Sequence, residues 1–299
     1  MARREWTLVS VSEDGVTCSG GNAMTGSSHH PRYLAVAVVL SLMSLSSAAP
    51  VLPDFSAATF VPGAPINNPF FPLVPGTTYT YVGQRTENST VSTELNTVTV
   101  TSQTLDVLGV PSRIVVDDVR LNGVLTEHTL DYFAQDTAGN VWYMGEASTE
   151  FLFDDEGNPT GTSTAGSWQA GVNGAQPGFV MEAAPAVGDE YFQEFSPGVA
   201  EDQAQVVSLS ADVSVPFGDF TNALQTLEST ALEPGAFEYK FYARGVGTVL
   251  TQELDEDLEP DFVSQLVSVQ VVPEPMSLSL AALGVTGLAW LRRRVRAVR

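Results

Sequence analysis

The chain is predicted to be mainly β: an antiparallel meander forming a strongly curved sheet or partly closed barrel, with a helix at either terminus outside it. Three observations predict this. From Thr77 onward apolar and polar residues alternate with period two, and no helical period lasts beyond two turns. The alternating runs are rich in Thr, Val and Tyr, which suit a pleated, half-buried surface. Turn-forming clusters recur about every ten residues, the spacing of consecutive antiparallel strands.

Before the sheet, residues 49–76 hold seven prolines (50, 53, 62, 65, 69, 72 and 75). Proline lacks a ladder donor, so this is an extended Pro-rich segment laid across the domain rather than part of its sheet. Residues 77–272 form the acidic β-rich domain. Thr77–Gly83 (TTYTYVG) and Val91–Leu108 read as its first strands, followed by Ser112–Leu121. Asn122-Gly123 is a two-residue hairpin signal leading into Val124–Gln135. Asp136-Thr137-Ala138-Gly139-Asn140 turns the chain into Val141–Gly145, and Phe151–Phe153 continues through a turn at Asp154-Asp155-Glu156-Gly157-Asn158-Pro159. Pro159–Gly188 breaks the rhythm with Gly, Ser, Asn and Pro, and reads as a long loop laying Trp168, Phe179 and Met181 over the sheet. Glu190–Phe195, Asp202–Ser210, Ala223–Ser229, Phe237–Tyr242, Val246–Leu254 and Phe262–Val271 complete the set. The sum is about a dozen strands in one meander, enough to curl strongly.

The last 27 residues, 273–299, are the most specific part of the sequence. Pro273-Glu274-Pro275 is followed by 16 uncharged residues, Met276–Leu291, then by Arg292-Arg293-Arg294, with Arg296 and Arg299 beyond. Prolines 273 and 275 resist helix and keep the tripeptide accessible. As a transmembrane helix, residues 276–291 span about 24 Å, slightly short of the roughly 30 Å hydrocarbon core, and snorkelling arginines lengthen the span. Those arginines place the C-terminus in the cytoplasm, with Trp290 at an interface. This order of elements resembles the PEP-CTERM sorting signal of exported bacterial proteins. The resemblance implies delivery to exosortase, a membrane-embedded processing enzyme acting near Pro273-Glu274-Pro275. The protein is then transiently anchored in the inner membrane and ends at the cell envelope, outer surface or extracellular matrix.

The amino end agrees. Leu34–Leu45 is a twelve-residue apolar run preceded by Arg32 and followed by Ser46-Ser47-Ala48. That pattern makes residues 24–48 a secretory signal peptide whose helix signal peptidase releases by cleavage after Ala48. Residues 1–23 carry Glu5, Glu13 and Asp14 with no apolar period, which is out of place before such a run. Met24 gives a signal of ordinary length and is the expected start.

The body between the two signals, Ala49 to Val272, is 224 residues long, enough for a sizeable core. It holds 31 acidic residues against Arg85, Arg113, Arg120, Lys240 and Arg244, a formal charge of −26. Such a surface repels nucleic acid and anionic lipid, and favours solubility, divalent cations or cationic partners. Cys18, the only cysteine, lies in residues 1–23, so no disulfide holds the body together. Two further segments, Asn68–Gly76 (NPFFPLVPG) and Gly166–Gly178 (GSWQAGVNGAQPG), are similar to stretches of secreted β-rich bacterial proteins of unassigned function. That resemblance implies no catalytic residue and no cofactor.

Candidate sites are few. Asp136-Thr137-Ala138-Gly139 approaches the Asp-Thr-Gly signature of aspartic proteases, but an alanine interrupts it and no second copy exists; a hairpin turn accounts for every residue. Asp255-Glu256-Asp257 with Glu259 and Asp261 is the densest acidic cluster, and Asp154-Asp155-Glu156-Gly157-Asn158 is a similar turn. Oxygen-rich loops can bind Ca²⁺, which makes Asp255, Asp257, Glu259 and Asp261 weak calcium candidates, although no glycine matches the EF-hand turn. His128 is the only histidine of the body, so a Ser-His-Asp triad would have to use it, and no G-x-S-x-G elbow is present. No Walker loop or dinucleotide fingerprint appears.

The sequence therefore favours a non-enzymatic envelope or matrix protein associated with exopolysaccharide or surface organisation. An alternative is a ligand-binding module holding an apolar or carbohydrate ligand against Tyr79, Tyr81, Trp142, Trp168 and Tyr242. A second alternative is a carboxylate-dependent hydrolase, since so many acids always offer pairs. An open cavity of several hundred Å³ would favour binding, and a filled core the first reading.

Overall fold

The computed structural model describes residues 49–87 and 90–272. A short hairpin, β1 (Ile66–Asn68) and β2 (Phe71–Leu73), stands apart from the main sheet. That sheet begins with β3 (Thr77–Glu87), β4 (Thr90–Val107), β5 (Val110–Leu121), β6 (Val124–Gln135) and β7 (Val141–Phe153). Shorter strands follow: β8 (Pro159–Ser163), β9 (Trp168–Gln169), β10 (Gln176–Met181), β11 (Glu190–Phe192) and β12 (Glu194–Phe195). The last five are β13 (Asp202–Val215), β14 (Gly218–Thr230), β15 (Phe237–Ala243), β16 (Gly247–Leu254) and β17 (Pro260–Val271). The body is mainly antiparallel β, as the alternation predicts. No helix among the described residues is long and apolar enough to cross a membrane. The signal helix with Ala48, and the tail with Pro273, Glu274, Pro275, its helix and Arg292, Arg293 and Arg294, lie outside the described residues.

β3–β7 and β13–β17 are two meanders of consecutive antiparallel hairpins. They join edge to edge through β17 and β3, from Val271 opposite Thr77 to Val263 opposite Gln84, with one register shift between Leu266 and Ser268. The single continuous meander expected from sequence is thus two, joined by a pairing between the ends of the domain. Beyond β7 the next stave is composite, with β8, β9 and β10 each pairing with a different part of β7. Glu190–Phe195 then closes the ring, because β11 pairs with β13 while β12 pairs with β10. The exchange of partner falls at Gln193, whose backbone N–H donates to the Asp202 carbonyl at 2.8 Å. Gly178 sits where this seam is tightest, since a Cβ there would lie 2.2 Å from the Phe192 carbonyl oxygen.

Pro159–Gly188, expected as one long loop, contains three of these strands. Its Gly- and Ser-rich composition interrupts the alternation and hides them: β7 supplies backbone partners to all three, β8 buries almost no side chain, and the buried positions are Trp168 of β9 and Pro177, Gly178 and Met181 of β10. Val141–Gly145 and Phe151–Phe153 are likewise one unbroken strand. The hairpin signal at Asn122-Gly123 holds, with φ of 51° and 85°, the left-handed pair that a type I′ turn requires.

Strand direction sorts the connections to two ends. One end carries the turns after β4, β6, β13 and β15; the other carries those after β5, β7, β14 and β16. The β1–β2 hairpin plugs the first end. Asn68 anchors it, its Nδ2 donating to the Gly139 and Glu182 carbonyls at 3.0 and 2.9 Å. Gly245 N–H donates to the Pro69 carbonyl at 2.7 Å, and the Arg244 guanidinium lies 4.2 Å from the Phe70 ring centre. Ile66, Phe70 and Leu73 pack with Tyr79, Val100 and Val115 in the larger core cluster. A second cluster lies about Trp142 and Met144, against which Phe55 and Phe60 of the Pro-rich segment pack. The plug and the larger cluster fill one end of the barrel, below the lumen.

Candidate functional site

Alternation along β3–β6 sends every second residue to the same side as the core. In β4 that row reads Glu94, Asn96, Val98, Val100, and in β5 it includes Val115 and Asp117. In β6 it includes Asp131 and Phe133, and in β15 it reads Glu238, Lys240, Tyr242. Each row is apolar near the plug and acidic toward the other end. Together they enclose a cavity of about 430 Å³, floored by Phe71, Leu73, Tyr79, Val115 and Phe133. Seven carboxyl groups line it: Glu94, Asp117 and Asp131 from one meander, and Glu194, Asp202, Glu238 and Glu253 from β12 and the other. The lining holds a single lysine, Lys240.

That lysine is already engaged. Its Nζ lies 2.8 Å from Glu228 Oε2 and 2.7 Å from Glu238 Oε1. Burial alone would push its pKa down, but the two carboxylates hold it well above the ordinary lysine value and therefore charged. Glu228 also accepts from Thr226 Oγ1 at 2.7 Å and Tyr242 Oη at 3.0 Å, so this corner is satisfied within the protein. Arg85 pairs with Glu253 at the acidic end.

The opposite side is short of protons and cations. Burial raises Asp117 to about 7, which the Asn96 side chain opposes and Glu127, Asp118 and Glu94 reinforce. Asp117 Oδ1 and Asn96 Oδ1 are both shut off from solvent with no hydrogen-bond partner. Both belong to residues lining the cavity. Nearby, the Tyr143 hydroxyl lies 2.6 Å from Asp131 Oδ1 and 2.8 Å from Glu146 Oε2. A phenol has one proton to donate, so with both carboxylates ionised one contact would set lone pair against lone pair. A carboxylic proton shared within this trio removes that conflict. Burial pushes Asp131 well above the carboxylate range and Glu146 to about 7, in keeping with that count. Glu194, raised by burial and then by the charge of Asp202, is held by the Trp168 indole N–H at 2.5 Å.

The residues singled out by sequence fall elsewhere, with three exceptions. Tyr79, Tyr81 and Tyr242 line the lumen, but Trp142 and Trp168 belong to the second core cluster and are not part of the cavity wall. Asp255 caps its own turn, its Oδ1 accepting from the Asp257 and Glu259 N–H groups at 2.9 Å each. Asp257, Glu259 and Asp261 lie around that turn at the acidic end, exposed. Among the described residues no three His, Cys, Asp or Glu side chains come together as a metal site would need. Asp136 accepts from Gly139 N, Asn140 N, Asn140 Nδ2 and Trp142 Nε1, all within 2.9 Å, so it holds a turn. His128 Nδ1 meets Asp118 Oδ1 at 2.7 Å, and neither residue lines the lumen.

Sequence reasoning misses the lumen carboxylates although their signal is present. Glu94, Asp117, Asp131 and Glu238 each sit two or four residues from a core residue, on the same face of a strand. An acid in step with apolar core positions marks an interior that is not filled.

No protein-family model matches the chain, and no curated protein matches it. Among solved structures it is similar to a Bacteroides fragilis protein described as exported with a YmcC-like fold, and to a Parabacteroides distasonis protein described as a lipoprotein. Both are 12% identical, with alignments covering 67% of this chain and 98% of the other and TM-scores of 0.40 and 0.31.

Proposed function

We propose that the chain is an exported binding protein of the bacterial envelope that holds a small polar molecule in its barrel lumen. The observation that carries this is the 430 Å³ cavity, lined by seven carboxyl groups above a floor of aromatic and aliphatic side chains. The volume lies within the roughly 300–1,000 Å³ of small-molecule sites. A lumen with so many carboxyl groups suits a polar guest better than an acyl chain. The protein acts by holding this guest rather than by transforming it, and exopolysaccharide is the setting in which we place it.

Native mass spectrometry of protein recovered from its own host tests the reading. The wild type is expected to carry a bound small molecule that Val98→Trp, which fills the lumen, does not. The same adducts on both proteins, or none on either, would sink it. Incubation with oligosaccharides checks the hydrolase alternative, for which released sugar is the sign.

Delivery to the envelope rests on the two terminal signals. Exosortase is expected to remove the tail near Pro273-Glu274-Pro275. Intact mass of the secreted wild type should then lack residues 276–299, whereas Glu274→Ala inserts normally and keeps them. Wild-type protein that retains Arg292–Arg299 would make the segment a plain anchor.

A further inference from the structure

The geometry points to an organic cation as the guest, an amine or guanidine whose charged head sits beside Asp117 and Asn96 and whose body lies on the tyrosines and phenylalanines of the floor. This rests on the binding reading above and gives it a ligand class. Four observations converge.

Charge comes first. Lys240 is held by Glu228 and Glu238, and Arg85 pairs with Glu253. Asp117, Asp131, Glu146 and Glu194 make no salt bridge with any lysine or arginine among the described residues. The charged and titratable groups that act on Asp117 are Glu94 from β4, Glu127 and Asp131 from β6, Glu146 from β7, the Tyr81 hydroxyl from β3 and Asp118 next in its strand, with the Asn96 amide beside it, and none is a cation. A wall of acceptors at this density calls for a donor carrying positive charge.

Second, the lining sets seven carboxyl groups against one lysine, which Glu228 and Glu238 already hold, so a guest rich in N–H groups matches the wall better than one without. Third, the same cavity presents the rings of Phe71, Tyr79, Tyr81, Phe133 and Tyr143. Aromatic faces attract ammonium and guanidinium groups, most strongly where water is excluded. Fourth, the carboxyl groups are spread around the wall and do not converge on a point, as a bare metal ion would require. A cation extended over several atoms fits that spread.

The approach is charged in the same sense. The acidic turns at residues 154–158 and 255–259, far apart in sequence, follow β7 and β16 at the same end of the barrel, away from the plug. Negative turns around a low-dielectric opening concentrate cations there and turn anions away.

Calorimetric titration of the full mature protein tests the inference with phenethylamine, agmatine and spermidine as probes, and 2-phenylethanol as the neutral isostere of the first. At pH 8 at least one amine is expected to bind ten-fold or more tighter than 2-phenylethanol. Asp117→Asn should weaken that amine about ten-fold while leaving 2-phenylethanol unchanged. Glu94→Gln is the second variant should the first fold poorly, and it is expected to act in the same direction. Lowering the pH to 5.5 should weaken amine binding as the lumen acids take up protons.

Amines that bind no tighter than 2-phenylethanol, or binding indifferent to both substitutions, would overturn the inference. If 2-phenylethanol binds, is lost in Val98→Trp and outcompetes every amine, the lumen is a site but not for cations. If no probe binds while native mass spectrometry finds a guest that is not basic, the cation class falls and the binding reading survives. If no probe binds and no guest is found, both fall.

Discussion

Asp117 shows at the scale of one residue what burying an acid in this barrel costs in stability. Its carboxyl is raised from the ordinary aspartate value of 3.8 to about 7, chiefly by burial. Between about pH 4 and pH 7 the folded chain therefore holds a proton that the unfolded chain has released, and this group's contribution to stability falls as pH rises across that window. Asp117→Asn removes the titration and keeps the shape. Urea melts should show the variant gaining on the wild type as pH rises from 4 to 7, reaching an advantage of about 1–3 kcal/mol by pH 8, the usual cost of a buried unmet polar group. A constant difference across the window would mean that Asp117 is solvated. Tyr143 is the converse case. Its hydroxyl separates Asp131 from Glu146, so Tyr143→Phe is expected to destabilise by about 1–3 kcal/mol. A neutral result would show that the two acids do not share its proton.

Among the elements, the plug and the seam set the shape of the lumen. Leu73 of β2 is 6% exposed, and it both joins the apolar core and floors the cavity. Leu73→Ala is expected to cost about 2–5 kcal/mol in a denaturant melt, the range for a buried leucine that leaves a hole. The seam at Glu190–Phe195 depends on Gly178, whose neighbouring strand backbone leaves no room for a methyl group. Gly178→Ala should cost about 1–3 kcal/mol, the range for overpacking, and should raise hydrogen exchange at β10–β12 before the rest of the sheet. Uniform exchange would show that the ring does not open there. The hairpins of each meander are local, whereas pairing β17 with β3 joins residues 271 and 77. Such a contact closes a long loop and is slow to form.

At the scale of the whole molecule the body carries a formal charge of −26. Self-repulsion of this size weakens the compact state at low ionic strength, and salt relieves it. Thermal melts should therefore rise with sodium chloride. Calcium at matched ionic strength is expected to give an equal shift, because Asp255 is spent on its own turn and the acids around it do not converge. A larger calcium shift would identify a specific site and restore those loops as candidates. No response to either salt would remove self-repulsion as a factor.

The fold class, the position of most strands, the two-residue turn at Asn122-Gly123 and the excess of acid are all legible in the sequence. Those features are local: alternation, turn chemistry and composition act within a few residues of one another. Three others arise only when the chain is folded. The pairing of β17 with β3 leaves no periodic trace in either strand. β8, β9 and β10 emerge from a Gly-rich stretch with no alternation of its own, because the donors and acceptors they pair with lie on β7, outside the segment. Glu94, Asp117, Asp131 and Glu238 gather into one lumen. Each reads in sequence as one more acid among 31, and what gathers them is the closure of the ring, which turns strand faces far apart in sequence toward one lumen.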